Sequence, residues 1–137
     1  MSEPRLLREE DVDWLINLGV RRYPNNYDPQ TTENWLRNQV LKQFITFFGT
    51  RTQNACQISM LSIAPWTPAE PECNVVTSVS EPGCHWELIR LLRGSIEWAR
   101  KRKCVKWRLS SDTSYDYEML AKRLRAEEIA PRYVIRL

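Results

Sequence analysis

The run from Asn74 to Leu109 constrains the fold of this chain more than any other segment. Val75, Thr77 and Val79 alternate with Asn74, Val76 and Ser78, the period of two that marks a strand. Ser80-Glu81-Pro82-Gly83 interrupts it, because proline cannot donate to a ladder and glycine favours turns. A basic amphipathic helix is predicted from about Cys84 to Lys103, after which Val105, Trp107 and Leu109 alternate as another strand. Strand, helix and strand in this order predict a parallel pair joined by a right-handed crossover. At the start of such a helix, unpaired N–H groups and the positive end of the helix dipole meet the end of a strand. That junction is a natural seat for a phosphate-bearing ligand.

The rest of the chain supplies the neighbours. Arg5–Arg8 reads as a short first strand, and a helix over 11–22 is capped by Asp11 or Asp13. Residues 23–29 are rich in turn formers, and Thr31 or Thr32 is expected to cap a second helix over 32–42. Phe44–Phe48 has strand composition, with a hairpin-like link over 49–54 and a strand over 55–64. A Pro-rich loop follows over 65–72. Beyond Leu109, a helix over 114–127 and a closing strand over 129–137 complete the order β-α-α-β-β-β-α-β-α-β. This predicts one α/β (α+β) domain over residues 1–137, with a mixed, mostly antiparallel sheet flanked by helices.

Composition narrows the setting. A chain of 137 residues is long enough to bury a core without a disulfide or metal staple. The four cysteines, at 56, 73, 84 and 104, show no zinc-type spacing, and there is one histidine, so reduced thiols and no metal are expected. No apolar run approaches a membrane span of roughly 18 residues, and Met1–Arg5 is too polar for a secretory leader. A cytoplasmic location follows as the expectation. The net charge of +3 is uneven: residues 1–80 hold 7 basic and 9 acidic side chains, residues 81–137 hold 13 and 8. The half with the candidate phosphate loop is therefore the basic one, which suits an anionic partner.

This order resembles the GNAT superfamily of acetyl-CoA-dependent N-acetyltransferases. Val79-Ser80-Glu81-Pro82-Gly83 stands where that family ends a strand in a Val-x-Pro-like segment before its phosphate loop. Leu88, Leu91 and Leu92 resemble the paired leucines of the following helix, and Glu97-Trp98-Ala99 its later turn. Residues 120–126 resemble the family's Leu-Tyr-x-x-x-Gly-Phe block, with Ala121 at the place of its tyrosine. Gly83 is the one glycine in a loop where the family has Gln/Arg-x-x-Gly-x-Gly. A looser likeness links the chain, through Asp112-Thr113-Ser114, to small GNAT-like proteins of tailed bacteriophages, some encoded in virion gene clusters.

The resemblance implies acetyl-CoA as cofactor, held by Val79 and Ser80 along the pantetheine arm and by Gly83, Cys84 and His85 at the pyrophosphate. Asp112 falls near the family's frequent Asn. Tyr115 and Tyr117 take the role of the phenol that protonates the leaving thiolate. From the residues themselves, Glu81 is a candidate base acting through water. Cys84 is a candidate thiolate at a helix N-terminus, and His85 a candidate general base. Arg100–Arg108 is dense in positive charge, part of which complements the helix dipole. It carries no nucleic-acid motif. Trp66 and Trp86 are hard to bury and suit a protein interface. Three functions stay open: transfer of an acetyl group from acetyl-CoA to an amine; a contact protein that keeps the fold without the chemistry, such as a virion or host-interaction component; and, more weakly, nucleic-acid binding through residues 100–108, whose signature would be a steep salt dependence.

Overall fold

The computed structural model describes residues 3–25, 27–109, 122–125 and 135. Its sheet has the order β1-β2-β3-β4-β5. The strands are β1 (Arg5–Leu6), β2 (Phe47–Arg51), β3 (Ala55–Ser62), β4 (Glu72–Ser80) and β5 (Lys106–Leu109). The first three pairings are antiparallel, and β4 pairs parallel with β5. The mixed, mostly antiparallel sheet is therefore as expected. The helix over 114–127 and the closing strand over 129–137 fall mostly outside the described residues.

Helix α1 (Val12–Arg22) follows a 3-10 turn at Glu9–Asp11, and α2 (Pro29–Trp35) runs into a π-helical turn at Leu36–Val40. The expected cap of α2 at Thr31 or Thr32 is corrected to Asp28. Its carboxylate accepts the Thr31 N–H at 3.3 Å and the Thr31 hydroxyl at 2.7 Å. Pro29 then takes the first helical position, where its missing N–H leaves nothing unpaired.

The strand expected at Phe44–Phe48 is shifted to Phe47–Arg51. The N–H groups of Thr46 and Phe47 both donate to the Gln43 carbonyl, at 2.9 and 2.8 Å, which curls residues 43–46 into a turn. The hairpin link shortens accordingly to Thr52–Asn54, closed by Thr52 N–H to the Ala55 carbonyl at 3.0 Å. Phe44 and Ile45 have strand propensity but lie outside the ladder, so they are left exposed.

The ladder between β3 and β4 decides how the sheet is covered. Ile58 pairs with Thr77 and Ser59 with Val75, so Val76 has no partner and forms a β-bulge. The simple alternation expected along β4 is corrected by this one residue. Val75 packs under α3 (His85–Lys101) with Ala55, Leu88, Leu91 and Leu92. Three pairs further on, Val79 faces the other way, into the cluster of α1 and the π-turn with Leu15, Leu18, Leu36 and Ile58.

Helix α3 buries Leu88, Ile89, Leu91, Leu92, Ser95 and Ala99, the three-and-four spacing of one helical face. Opposite it, β3 presents Gln57 and Ser59, both fully buried. Ser59 Oγ and Ser95 Oγ are 2.6 Å apart, and Trp107 Nε1 donates to Ser95 Oγ at 2.8 Å. Gln57 Nε2 donates to Thr50 Oγ1 at 2.9 Å and to the Phe48 carbonyl at 3.1 Å. The polar layer is satisfied internally, which makes it a constraint on helix position rather than a penalty.

At the far edge Asp11, 4% exposed, joins β1, β2 and α1. Arg5 binds it through two hydrogen bonds of 2.6 and 2.8 Å, Arg51 through one of 2.8 Å, and the Arg8 N–H through one of 2.9 Å. The Arg51 guanidinium also lies 3.5 Å from the centre of the Trp14 ring. Burial by itself would raise the Asp11 carboxyl, but these donors outweigh it and hold it below the ordinary carboxylate range. A lowered folded pKa means stability that is present above the unfolded value and lost as pH falls through the folded one. Asp11→Asn is expected to lower stability by about 2–3 kcal/mol at pH 7. The gap should close below roughly pH 4, as read by denaturant melts at pH 7 and pH 3.

Just past the C-cap of α3, Arg102, Lys103 stands at φ 60°, the left-handed position usually given to glycine. Lys103→Gly should raise stability by about 1 kcal/mol, measured as a higher midpoint in urea.

Candidate functional site

The turn between β4 and α3 is built from Glu81 to Cys84. Cys84 N–H donates to the Glu81 carbonyl at 3.1 Å, and Glu87 N–H to the Cys84 carbonyl at 3.1 Å. The N–H groups of His85 and Trp86, in the first turn of α3, find no such acceptor among the described residues. They are two of the orphan donors that every helix start presents. Gly83 stands at φ 79°, and a Cβ built there meets nothing within 4 Å. The turn is therefore tight, open on its outer side and supplied with donors.

Its charges are less simple. Glu81 makes a two-pronged ion pair with Arg21 of α1, at 2.6 and 2.9 Å, and that partner holds its carboxyl below the ordinary range. A carboxylate so held is a poor base, which counts against the role read for Glu81 from the sequence. Glu87, in the third position of α3, is 7% exposed and accepts Asn54 Nδ2 at 3.0 Å. Burial would raise its carboxyl, but hydrogen bonds from Asn54, Thr52 and Cys84 prevail and hold it lowered. Its Oε1 has no hydrogen-bond partner among the described residues. Burial and the carboxylate of Glu87 push the Cys84 thiol up, so the activated thiolate considered for this position is corrected to a protonated thiol. The His85 ring sits 5.2 Å from that of Trp86, over which the Arg123 guanidinium lies at 4.3 Å.

A cavity of about 410 Å³ opens beside the β4 bulge. One wall is the strand from Val75 to Val79, and the other is Tyr23, Tyr27, Thr32 and Trp35 from α2 and its connection to α1. Tyr27 lies so close to Gly19 that a Cβ there would come within 2.4 Å of its ring. Burial pushes the Tyr27 phenol up, against a hydrogen bond with Thr32 that lowers it, so the hydroxyl keeps its proton at neutral pH. Sequence reading missed this wall because Tyr23–Pro29 looks like a plain turn-rich connector. The signal available was two tyrosines within five residues.

The expected cofactor and catalytic residues divide into three groups. Gly83, Cys84 and His85 are brought together at the helix start, as anticipated. Val79 and Ser80 lie at the end of β4 with buried side chains, Val79 committed to the α1-side core. Asp112, Tyr115 and Tyr117 lie outside the described residues. For acetyl-CoA, the open turn, the free N–H groups and the adjoining cavity fit a thioester and its diphosphate. Pro82 and the carboxylates of Glu81 and Glu87 weaken the fit at the diphosphate end. Among the described residues no cluster of His, Cys, Asp and Glu has metal-binding form, and no helix is long and apolar enough to cross a membrane.

No protein-family model matches the chain, and no curated protein matches its sequence. Solved structures do match its shape. A transcriptional regulator from Bacillus halodurans C-125 superimposes with a TM-score of 0.81 over 100% of both chains at 10% identity. A predicted acetyltransferase from Clostridium acetobutylicum, solved with acetyl-CoA, gives 0.80 over 99% of this chain and 96% of its own at 13% identity. A ribosomal-protein-alanine N-acetyltransferase from Brucella melitensis biovar Abortus 2308 gives 0.71 over 98% and 99% at 16% identity. These likenesses show that the chain, with its five-stranded mixed sheet flanked by helices, has the fold of the GNAT acetyltransferases.

Proposed function

We propose that this protein binds acetyl-CoA across the β4–α3 junction and transfers the acetyl group to an amine held in the neighbouring cavity. The observation that carries the reading is the bulge at Val76, which interrupts β4 where the 410 Å³ cavity lies, one strand end away from the open turn at Gly83. Bound there, acetyl-CoA supplies an acetyl thioester open to attack by an amine. The chain's own groups have definable parts. The N–H groups of His85 and Trp86, with the α3 dipole, receive negative oxygens. Arg21 neutralises Glu81, so one of the two acids at the turn is offset. Tyr23 and Trp35 exclude water from the cavity, and Tyr27 holds a proton at its hydroxyl within it. Tyr115 and Tyr117 are further candidates for proton donation to a leaving thiolate.

Calorimetric titration of the purified chain with acetyl-CoA and with CoA tests this. Micromolar affinity is expected, weakened at least tenfold by Gly83→Val, which is strained at φ 79° and puts a side chain on the open face of the turn. Glu87→Gln should tighten binding severalfold, because it keeps an acceptor for Asn54 while removing a buried negative charge. An absence of heat up to millimolar cofactor overturns the proposal.

The second reading, a fold kept for contacts, for instance in a virion or at a host surface, is favoured by the same Glu87. A buried carboxylate with an unpartnered oxygen at the helix start opposes a diphosphate. The cavity wall supplies an independent check. Gly19→Ala forces the Tyr27 ring away and should lower stability, although alanine is the better helix former by about 1 kcal/mol. Adding Tyr27→Ser should restore the loss, so the two substitutions are strongly non-additive in thermal melts.

A further inference from the structure

The end of the sheet remote from this site is exposed, apolar and basic at once. Three connections converge there: the turn at residues 43–46, the Pro-rich loop between β3 and β4, and the turn from α3 into β5. Hydrogen bonds fix their alignment. Leu61 N–H donates to the Thr46 carbonyl at 2.7 Å, and Val105 N–H to the Pro71 carbonyl at 2.8 Å. With Leu61 opposite Cys73 and Glu72 opposite Lys106, residues 45, 63, 71 and 105 fall on one edge.

Half of the large apolar side chains exposed among the described residues lie on this edge: Phe44, Ile45, Ile63, Trp66 and Val105. Trp66 is 82% and Ile45 79% exposed. The loop carrying Trp66 is held by turn bonds, Thr67 N–H to Ala64 and Glu70 N–H to Thr67, both at 3.0 Å. Pro65, Pro68 and Pro71 stiffen it further. An indole displayed on a stiffened loop loses little entropy on contact, the condition for an interface anchor.

The surrounding charge says what kind of surface would cover it. Arg100 is paired with Glu97, Arg108 with Glu72, and Arg102 lies over the Trp98 ring at 4.5 Å. Lys101, Lys103 and Lys106 are exposed and have no carboxylate within ion-pair distance among the described residues. A second copy docked about a two-fold axis would bring this basic rim against itself. The three lysines are too few and too mixed with apolar surface to make a nucleic-acid track, which needs a groove of charge.

We propose that this edge is a docking surface for an acidic protein segment bearing aromatic or large aliphatic side chains, with Trp66 as anchor and Lys101, Lys103 and Lys106 as its electrostatic rim. It lies a strand's length, roughly 25 Å at about 3.3 Å per residue, from the β4–α3 turn. It does not depend on whether that turn binds acetyl-CoA.

The test uses the full chain and four probes: a 15-residue peptide of alternating acidic and Leu, Trp or Phe residues; the same peptide with its apolar residues changed to Ser; the same with its acids changed to Lys; and a single-stranded 20-mer DNA. Phosphatidylserine vesicles and sedimentation of the chain alone complete the set. The first peptide should bind with micromolar affinity and with clear salt dependence. Trp66→Ser should weaken it at least tenfold. Lys103→Gly, which relieves backbone strain and so cannot act by unfolding, should weaken it about threefold. Equal binding of the serine or lysine peptide, tighter binding of DNA or vesicles, a dimer that Trp66→Ser dissociates, or no binding of the first peptide would each overturn the proposal.

Discussion

The β-bulge at Val76 is the constraint on which the remaining structure rests. A strand buried on both faces normally assigns alternate residues to each side without change. One extra residue in β4 exchanges the faces, so odd-numbered Val75 faces α3 before the bulge and odd-numbered Val79 faces α1 and the π-turn after it. Val75 and Val79 share a parity in sequence and yet belong to different cores. The same residue leaves the ladder incomplete beside the cavity, so the packing of the two layers and the shape of the candidate site have one cause.

Around this break the two layers are held by different chemistry. The α3 side combines close-packed leucines with the hydroxyl and amide layer of Gln57, Ser59 and Ser95, whose hydrogen bonds allow one helix position. The α1 side is apolar in its centre and ends in the Asp11 cluster, where one carboxylate serves two arginines and a backbone N–H. Removing either arginine would leave buried charge imperfectly compensated, which explains why so short a strand as β1 can be kept in register.

The two ends of the sheet have opposite characters. The end at the β4–α3 turn has N–H donors without an acceptor among the described residues, and acids that are paired or buried. The other end is exposed and apolar, with three exposed lysines beside it. A fold of this kind hosts varied activities, as its likeness to both acetyltransferases and a transcriptional regulator illustrates. The chemistry of each end must therefore be read from its own residues.

Much of the architecture was legible in the sequence because it depends on local signals. The Pro82-Gly83 break, the leucine spacing of α3 and the alternation of Trp107 and Leu109 define a strand–helix–strand unit whatever surrounds them. Gly83, Cys84 and His85 could be placed at the helix start for the same reason. What only the tertiary structure decided depends on partners distant in the chain. Phe44 and Ile45 have strand composition, but the ladder begins at Phe47 because Met60 is the residue that reaches it. The bulge at Val76 cannot be seen in β4 alone, since it is defined by Ile58 and Ser59 on the neighbouring strand. Tyr27 enters the site only because the connection after α1 folds back over Gly19. Cys84 loses its reactive reading to burial and to Glu87, a carboxylate that accepts from Asn54 of a hairpin 33 residues away. Local periodicity sets which elements form, whereas register, facing and protonation follow from contacts that close only when the sheet is assembled.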